Sequence, residues 1–86
     1  MTLVRSAEKE LLGLPDDRFD AITKHLEILK RDPRPSGAAK LTGRTEYKLR
    51  IGDLRIIYEI HDDSHEVVVI IIDDRKQVYR KLKQRR

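Results

Sequence analysis

Apolar and polar residues alternate most strictly between Tyr47 and Ile60, where Tyr47-Lys48-Leu49-Arg50-Ile51 and Leu54-Arg55-Ile56-Ile57-Tyr58-Glu59-Ile60 flank Gly52-Asp53. A period of two is that of a half-buried strand, and a Gly-X pair between two such runs predicts a two-residue hairpin with Gly at its first central position. Counting outward from the turn pairs Ile51 with Leu54, Arg50 with Arg55, Leu49 with Ile56, Lys48 with Ile57 and Tyr47 with Tyr58. Parity then puts Tyr47, Leu49, Ile51, Leu54, Ile56, Tyr58 and Ile60 on a core face and Lys48, Arg50, Arg55, Ile57 and Glu59 on a cationic one.

The period changes upstream. Phe19, Ile22, Leu26 and Leu29 recur at spacings of three, four and three, which predicts a helix from Asp16 or Asp17 with Pro15 near its first turn. A shorter helix precedes it, N-capped by Ser6 and stopped by Gly13-Leu14-Pro15. Met1–Val4 reads as the stub of an edge strand, and the stretch from Asp32 to Thr45, with Pro33, Pro35, Gly37 and Gly43, as a connector. Downstream of the polar turn His61–His65, Val67–Ile72 is apolar without alternation, the mark of a strand buried on both faces and expected in the middle of the sheet. Asp73-Asp74 offers a cap to a last helix from Arg75, whose Val78, Tyr79 and Leu82 sit at helical spacing. That helix is too short to hold alone and needs a surface to dock on. The fold class is therefore α+β, with a small antiparallel sheet of three to four strands packed against an N-terminal helical hairpin and a short C-terminal helix.

At 86 residues this is one small domain, residues 1–86, with no cysteine for a disulfide or a thiolate metal cage. The longest apolar run is too short to span a bilayer and nothing resembles a secretory leader, so a cytoplasmic, membrane-free protein is expected. The 19 Lys and Arg exceed the 15 Asp and Glu, for a net charge of +4. Distribution matters more than total: Arg75, Lys76, Arg80, Lys81, Lys83, Arg85 and Arg86 close the chain with no acid among them. His61 and His65 with Asp62-Asp63 have the composition of a polar turn rather than of a metal site, and no cofactor is implied.

The cationic face carries the chemistry. Two arginines directly opposite one another destabilise a ladder by a few tenths to about 1 kcal/mol, and an anion laid over them reverses the sign. Lys48, Arg50 and Arg55 thus read as a preformed phosphate site suited to nucleic acid; a merely solvated Lys/Arg-rich strand face would show the same pattern.

The run Lys40-Leu41-Thr42-Gly43, the hairpin Tyr47–Ile60, the apolar strand and Arg75-Lys76-Gln77-Val78-Tyr79-Arg80 together resemble the RelE/ParE superfamily of toxins from toxin–antitoxin systems, the RelE branch most of all. Ser6-Ala7-Glu8-Lys9-Glu10-Leu11 extends the likeness over nearly the whole chain. The resemblance implies a metal-independent endoribonuclease that cleaves mRNA in the ribosomal A site, and a RelB-like antitoxin as partner besides ribosome and mRNA. It implies Lys48 as base, Arg50 and Arg55 as stabilisers of the phosphoryl oxygens, Arg75 at the leaving oxygen, and Tyr79 stacking on a base or orienting the nucleophile. A lysine crowded by two arginines would have a lowered pKa, and an arginine, rarely deprotonated, serves the leaving group by charge. Lys76, Arg80, Lys81, Lys83, Arg85 and Arg86 are candidates for RNA contact, with strong salt dependence. Asp74 departs from the histidine that many relatives carry there; an acid at a phosphate site repels substrate unless it caps the helix. Two other readings use the same fold: a ParE-like inhibitor of DNA gyrase, and a degenerate toxin that only binds antitoxin.

Overall fold

In the computed structural model, which describes residues 1–84, the hairpin forms with the register the alternation predicts, Tyr47↔Tyr58 through Ile51↔Leu54. Gly52 has φ of 60° and Asp53 is not among the positive-φ residues, which is the type II′ pattern. The hairpin strands are β3 (Tyr47–Ile51) and β4 (Leu54–His61). They lie within a five-stranded sheet with β1 (Thr2–Leu3), β2 (Ala38–Lys40) and β5 (Glu66–Asp74), in the order β1-β5-β4-β3-β2. The helices are α1 (Arg5–Leu12), α2 (Asp16–Arg31) and α3 (Arg75–Gln84). None of them is long and apolar enough to cross a membrane.

Four expectations need correction. The sheet has five strands rather than three to four, and it is mixed, because β1 pairs parallel to β5. The additional strand β2 is Ala38-Ala39-Lys40, a sequence with no β signal of its own; it forms because β3 offers an open edge. The middle strand is β4, not β5. Ser6 is not an N-cap: the helix starts at Arg5, and Val4, still donating its N–H to Val69 O at 2.9 Å, passes directly from strand to helix. No loop is left there for a hydroxyl to cap.

Two cores sit on opposite faces of the sheet. On one, Ala7, Ile22, Leu26 and Leu29 of α1 and α2 bury Leu49, Leu54, Ile56, Tyr58, Val67, Val69 and Ile72. Phe19, expected in that stripe, is only half-buried and stands outside this core. On the other face, Val78 and Leu82 of α3 cover Ile57, Ile70 and Ile71. The face read as cationic, on which the alternation had already placed Ile57, has an apolar centre widened by Ile70 and Ile71, and this is where α3 docks. A register shift at Ile57/Tyr58 lets Ile70 and Ile71 both point to the α3 side while Val69 and Ile72 point to the other. That bulge, with helices on both faces, is why the strand shows no alternation.

Polar groups fasten the corners. Tyr58 donates its hydroxyl to Pro33 O at 2.8 Å, and burial pushes its pKa up to about 12. Arg34 lies 5.4 Å over the Tyr47 ring and pairs with Asp62 at 3.0 Å, tying the α2–β2 connection to the sheet.

Candidate nucleic-acid interface

The outward residues of β3 alternate, so Lys48 and Arg50 stand on one face about 7 Å apart. On α3, Lys76, Tyr79 and Lys83 fall at i, i+3 and i+7, one helical face. Because Val78 and Leu82 seat α3 over Ile57, that face looks toward β3, and a groove with basic walls runs between helix and strand.

One end of the groove is a cavity of about 400 Å³ lined by Arg50, Asp53, Arg55, Asp74 and Lys76. Arg55 is 7 % exposed, and its Nε, fully buried, has no hydrogen-bond partner among the described residues. Its neighbours explain the orphan. Across β3 it faces Arg50, and across β5 it faces Asp73, whose carboxylate is occupied: Oδ1 accepts the Asp74 N–H at 2.8 Å and Oδ2 the Lys81 ammonium at 2.6 Å. Arg50 bends back to donate Nε to Gly52 O at 3.0 Å. Both acids of the cavity are also engaged. Asp53 bonds Arg18 at 2.5 Å, which holds its carboxyl below the ordinary carboxylate range. Asp74 accepts the Gln77 N–H at 2.9 Å and so caps α3.

The other end is a cavity of about 520 Å³ lined by Lys48, Tyr79 and Lys83 from the groove walls and by Lys40, Thr42 and Arg44 from β2 and its loop. Tyr79 is 41 % exposed, open to stacking. The structure thus brings Arg50, Arg55 and Lys76 together, and Lys48 together with Tyr79 and Lys83, in two neighbouring cavities rather than one. Arg75 begins α3, next to Asp74 of the first cavity; its side chain, and Arg85 and Arg86 entirely, lie outside the described residues.

Arg80 is exposed and hydrogen-bonds Gln77 on its own helix. Lys81 is turned away from the groove, where it bridges Asp73 and Glu10, and Glu10 also accepts the Ile72 N–H at 3.0 Å on the free edge of β5. Burial alone would lower the Lys81 pKa, but hydrogen bonds to Asp73 and Glu10 outweigh it and raise the value. Two carboxylates leave that lysine little charge to offer a phosphate, so its place is at the joint between α1, β5 and α3. The reading of residue types missed Lys40 and Arg44, which lie in a stretch that reads as a connector.

A small α+β fold with a basic groove between its last helix and its sheet is the class defined here. The chain matches the model of the ParE toxin of type II toxin-antitoxin systems over residues 2–79, and it belongs to that family, within the RelE/ParE superfamily. It is similar to the isolated E. coli RelE toxin, at 26 % identity and a TM-score of 0.75, over 98 % of this chain and 94 % of that one. It is similar to a chain of the intact E. coli RelBE toxin-antitoxin complex, at 25 % identity and 0.75, over 85 % and 92 %. The RelB-RelE antitoxin-toxin complex of Methanococcus jannaschii shares the fold at 18 % identity and 0.77, over 94 % and 98 %. Among curated proteins none matches.

Proposed function

We propose that this toxin is a ribosome-dependent endoribonuclease that cuts A-site mRNA and blocks translation, and that a RelB-like antitoxin neutralises it. The observation that carries the reading is Arg55: a residue more than nine-tenths buried, unpartnered at Nε among the described residues, beside Arg50 and Lys76 in a cavity whose two acids are already engaged. A fold keeps such a charge at a cost, since an unsatisfied buried donor is worth about 1–3 kcal/mol against stability, and a phosphate removes the cost on binding. The likeness to a chain of the E. coli RelBE toxin-antitoxin complex supports the antitoxin partner.

In this reading a ribose 2′-hydroxyl attacks the adjacent phosphodiester. The O2′–phosphorus bond forms as the phosphorus–O5′ bond breaks, leaving a 2′,3′-cyclic phosphate and a 5′-hydroxyl, with no water consumed. Lys48 accepts the 2′ proton from the adjoining cavity, and the departing O5′ takes a proton from solvent, to which the Lys48 ammonium returns its own. Arg50, Arg55 and Lys76 stabilise the charge that develops on the phosphoryl oxygens, and Arg75, at the start of α3, does so at the leaving O5′. Tyr79 holds a neighbouring base by stacking. Lys83 and Arg80 lie along the same helix and offer charge to ribosomal RNA, to which Arg85 and Arg86, outside the described residues, add by sequence alone.

The family model describes ParE toxins, which favours gyrase inhibition as the second reading. Incubation with programmed ribosomes followed by mapping of mRNA ends, beside a gyrase supercoiling assay, separates them. Cuts in the A-site codon that vanish in Arg55→Ala support the first; inhibited supercoiling with intact mRNA replaces it by the second. Intact mRNA with unaffected gyrase leaves only an antitoxin-binding module.

A further inference from the structure

The larger cavity has a composition different from its neighbour's. Lys40, Lys48 and Lys83 have no ion-pair partner among the described residues, whereas Arg44 is held in a fork by Glu46, Nε to Oε1 at 2.9 Å and Nη2 to Oε2 at 3.0 Å. Glu46 is 5 % exposed, and its backbone carbonyl accepts the Leu41 N–H at 2.9 Å, so the loop that carries Arg44 is closed on itself. The Glu46 carboxylate keeps Arg44 protonated, offsets its charge toward the surroundings and holds the guanidinium rigid. That suits the face or edge of a base better than a phosphate, which Lys40 and Lys83 serve. Leu41 and Leu82 supply apolar wall, and Tyr79 an open aromatic ring.

We infer that Arg44, aimed by Glu46, discriminates the base of the unpaired nucleotide that Tyr79 stacks beside the cleaved linkage. The inference rests on the RNA-cleaving reading and deepens it. Lys48 and Arg50, neighbours on one face of β3, join the two cavities, so a single strand laid along the groove puts its reacting phosphate at Arg55 and the adjoining nucleotide between Tyr79 and Arg44. Its base is sandwiched by Tyr79 and the leucines, its phosphate lies against Lys40 and Lys83, and Glu46 is the positioning residue that aims Arg44. Stacking requires a splayed base, so single strands are taken and duplex is not.

The test is a trinucleotide RNA made uncleavable by 2′-O-methyl groups, with 2-aminopurine at either side of the central linkage, titrated into the purified protein. We expect saturable quenching at one of the two positions, lost in Tyr79→Leu and kept in Tyr79→Phe, with circular dichroism unchanged. Lys40→Ala and Lys83→Ala should each weaken binding about 5- to 30-fold and flatten its salt dependence. Arg44→Ala should narrow the spread of affinities among the four bases at that position at least threefold, and Arg44→Lys, which keeps the charge without the fork, should not restore it. Absence of saturable quenching, or base preference unchanged in Arg44→Ala, overturns the inference even if mRNA is cut on ribosomes. Arg44-dependent base preference in a protein that cuts no mRNA keeps the inference and removes the nuclease.

Discussion

Replacing Arg55 by methionine should make the protein more stable and inactive. The side chain is 7 % exposed, its Nε has no partner among the described residues, and it sits directly across the ladder from Arg50. Leaving that donor unpaired costs about 1–3 kcal/mol, and the opposed arginine adds a few tenths to about 1 kcal/mol. Methionine keeps most of the apolar stem that packs beside Ile57 and discards both penalties. The expected gain is about 1–4 kcal/mol, and each 1 kcal/mol raises Tm by roughly 4–8 °C in a domain of this size. Thermal unfolding of both proteins, with and without a non-cleavable RNA oligonucleotide, reads it. The oligonucleotide should raise the Tm of the wild type by linkage and leave Arg55→Met unmoved. The reasoning fails if Arg55→Met loses more than about 1 kcal/mol while cells expressing it still stop growing, because Arg55 would then be a structural residue.

Lys81→Met should loosen α3, leaving Glu10 and Asp73 to repel; about 1 kcal/mol is expected after solvent screening, with faster amide exchange confined to α3 as the check. Since the Lys81 pKa is raised on folding, its stabilisation is complete below the ordinary value of 10.5 and fades as pH climbs through the folded-state value; Lys81→Met should lack that alkaline loss in urea titrations. Tyr58→Phe strands the Pro33 carbonyl and should cost about 1–2 kcal/mol by urea unfolding, with the mRNA cut unchanged. Gly52→Ala forces a side chain onto φ of 60° and should cost about 1–2 kcal/mol by the same measurement.

Much of the candidate site's geometry could be read from residue order because one local device, the Gly52-Asp53 turn, sets the facing of every residue in β3 and β4. What escaped depends on non-local partners. Ala38–Lys40 becomes a strand only through the edge of β3, and it carries Lys40 into the cavity that no local pattern marks. The bulge at Ile70 is invisible in a run of β-branched residues, since each of them is acceptable on either face. The basic C-terminus looked uniform, yet helical periodicity turns Lys76 and Lys83 toward the groove and Lys81 to Glu10 on the far side. Arg55 was legible as a cation on the correct face, but its burial was not, because α3 had no predicted docking position.

The most direct measurement uses ribosomes programmed with an mRNA that carries a single 2′-deoxy nucleotide at the position cut in the all-ribose message. Attack by the 2′-oxygen requires that cutting cease at this position while the toxin still binds the ribosome, and that the all-ribose product end in a 2′,3′-cyclic phosphate. Cleavage persisting at the deoxy position, or a product with a plain 3′-hydroxyl, would contradict it.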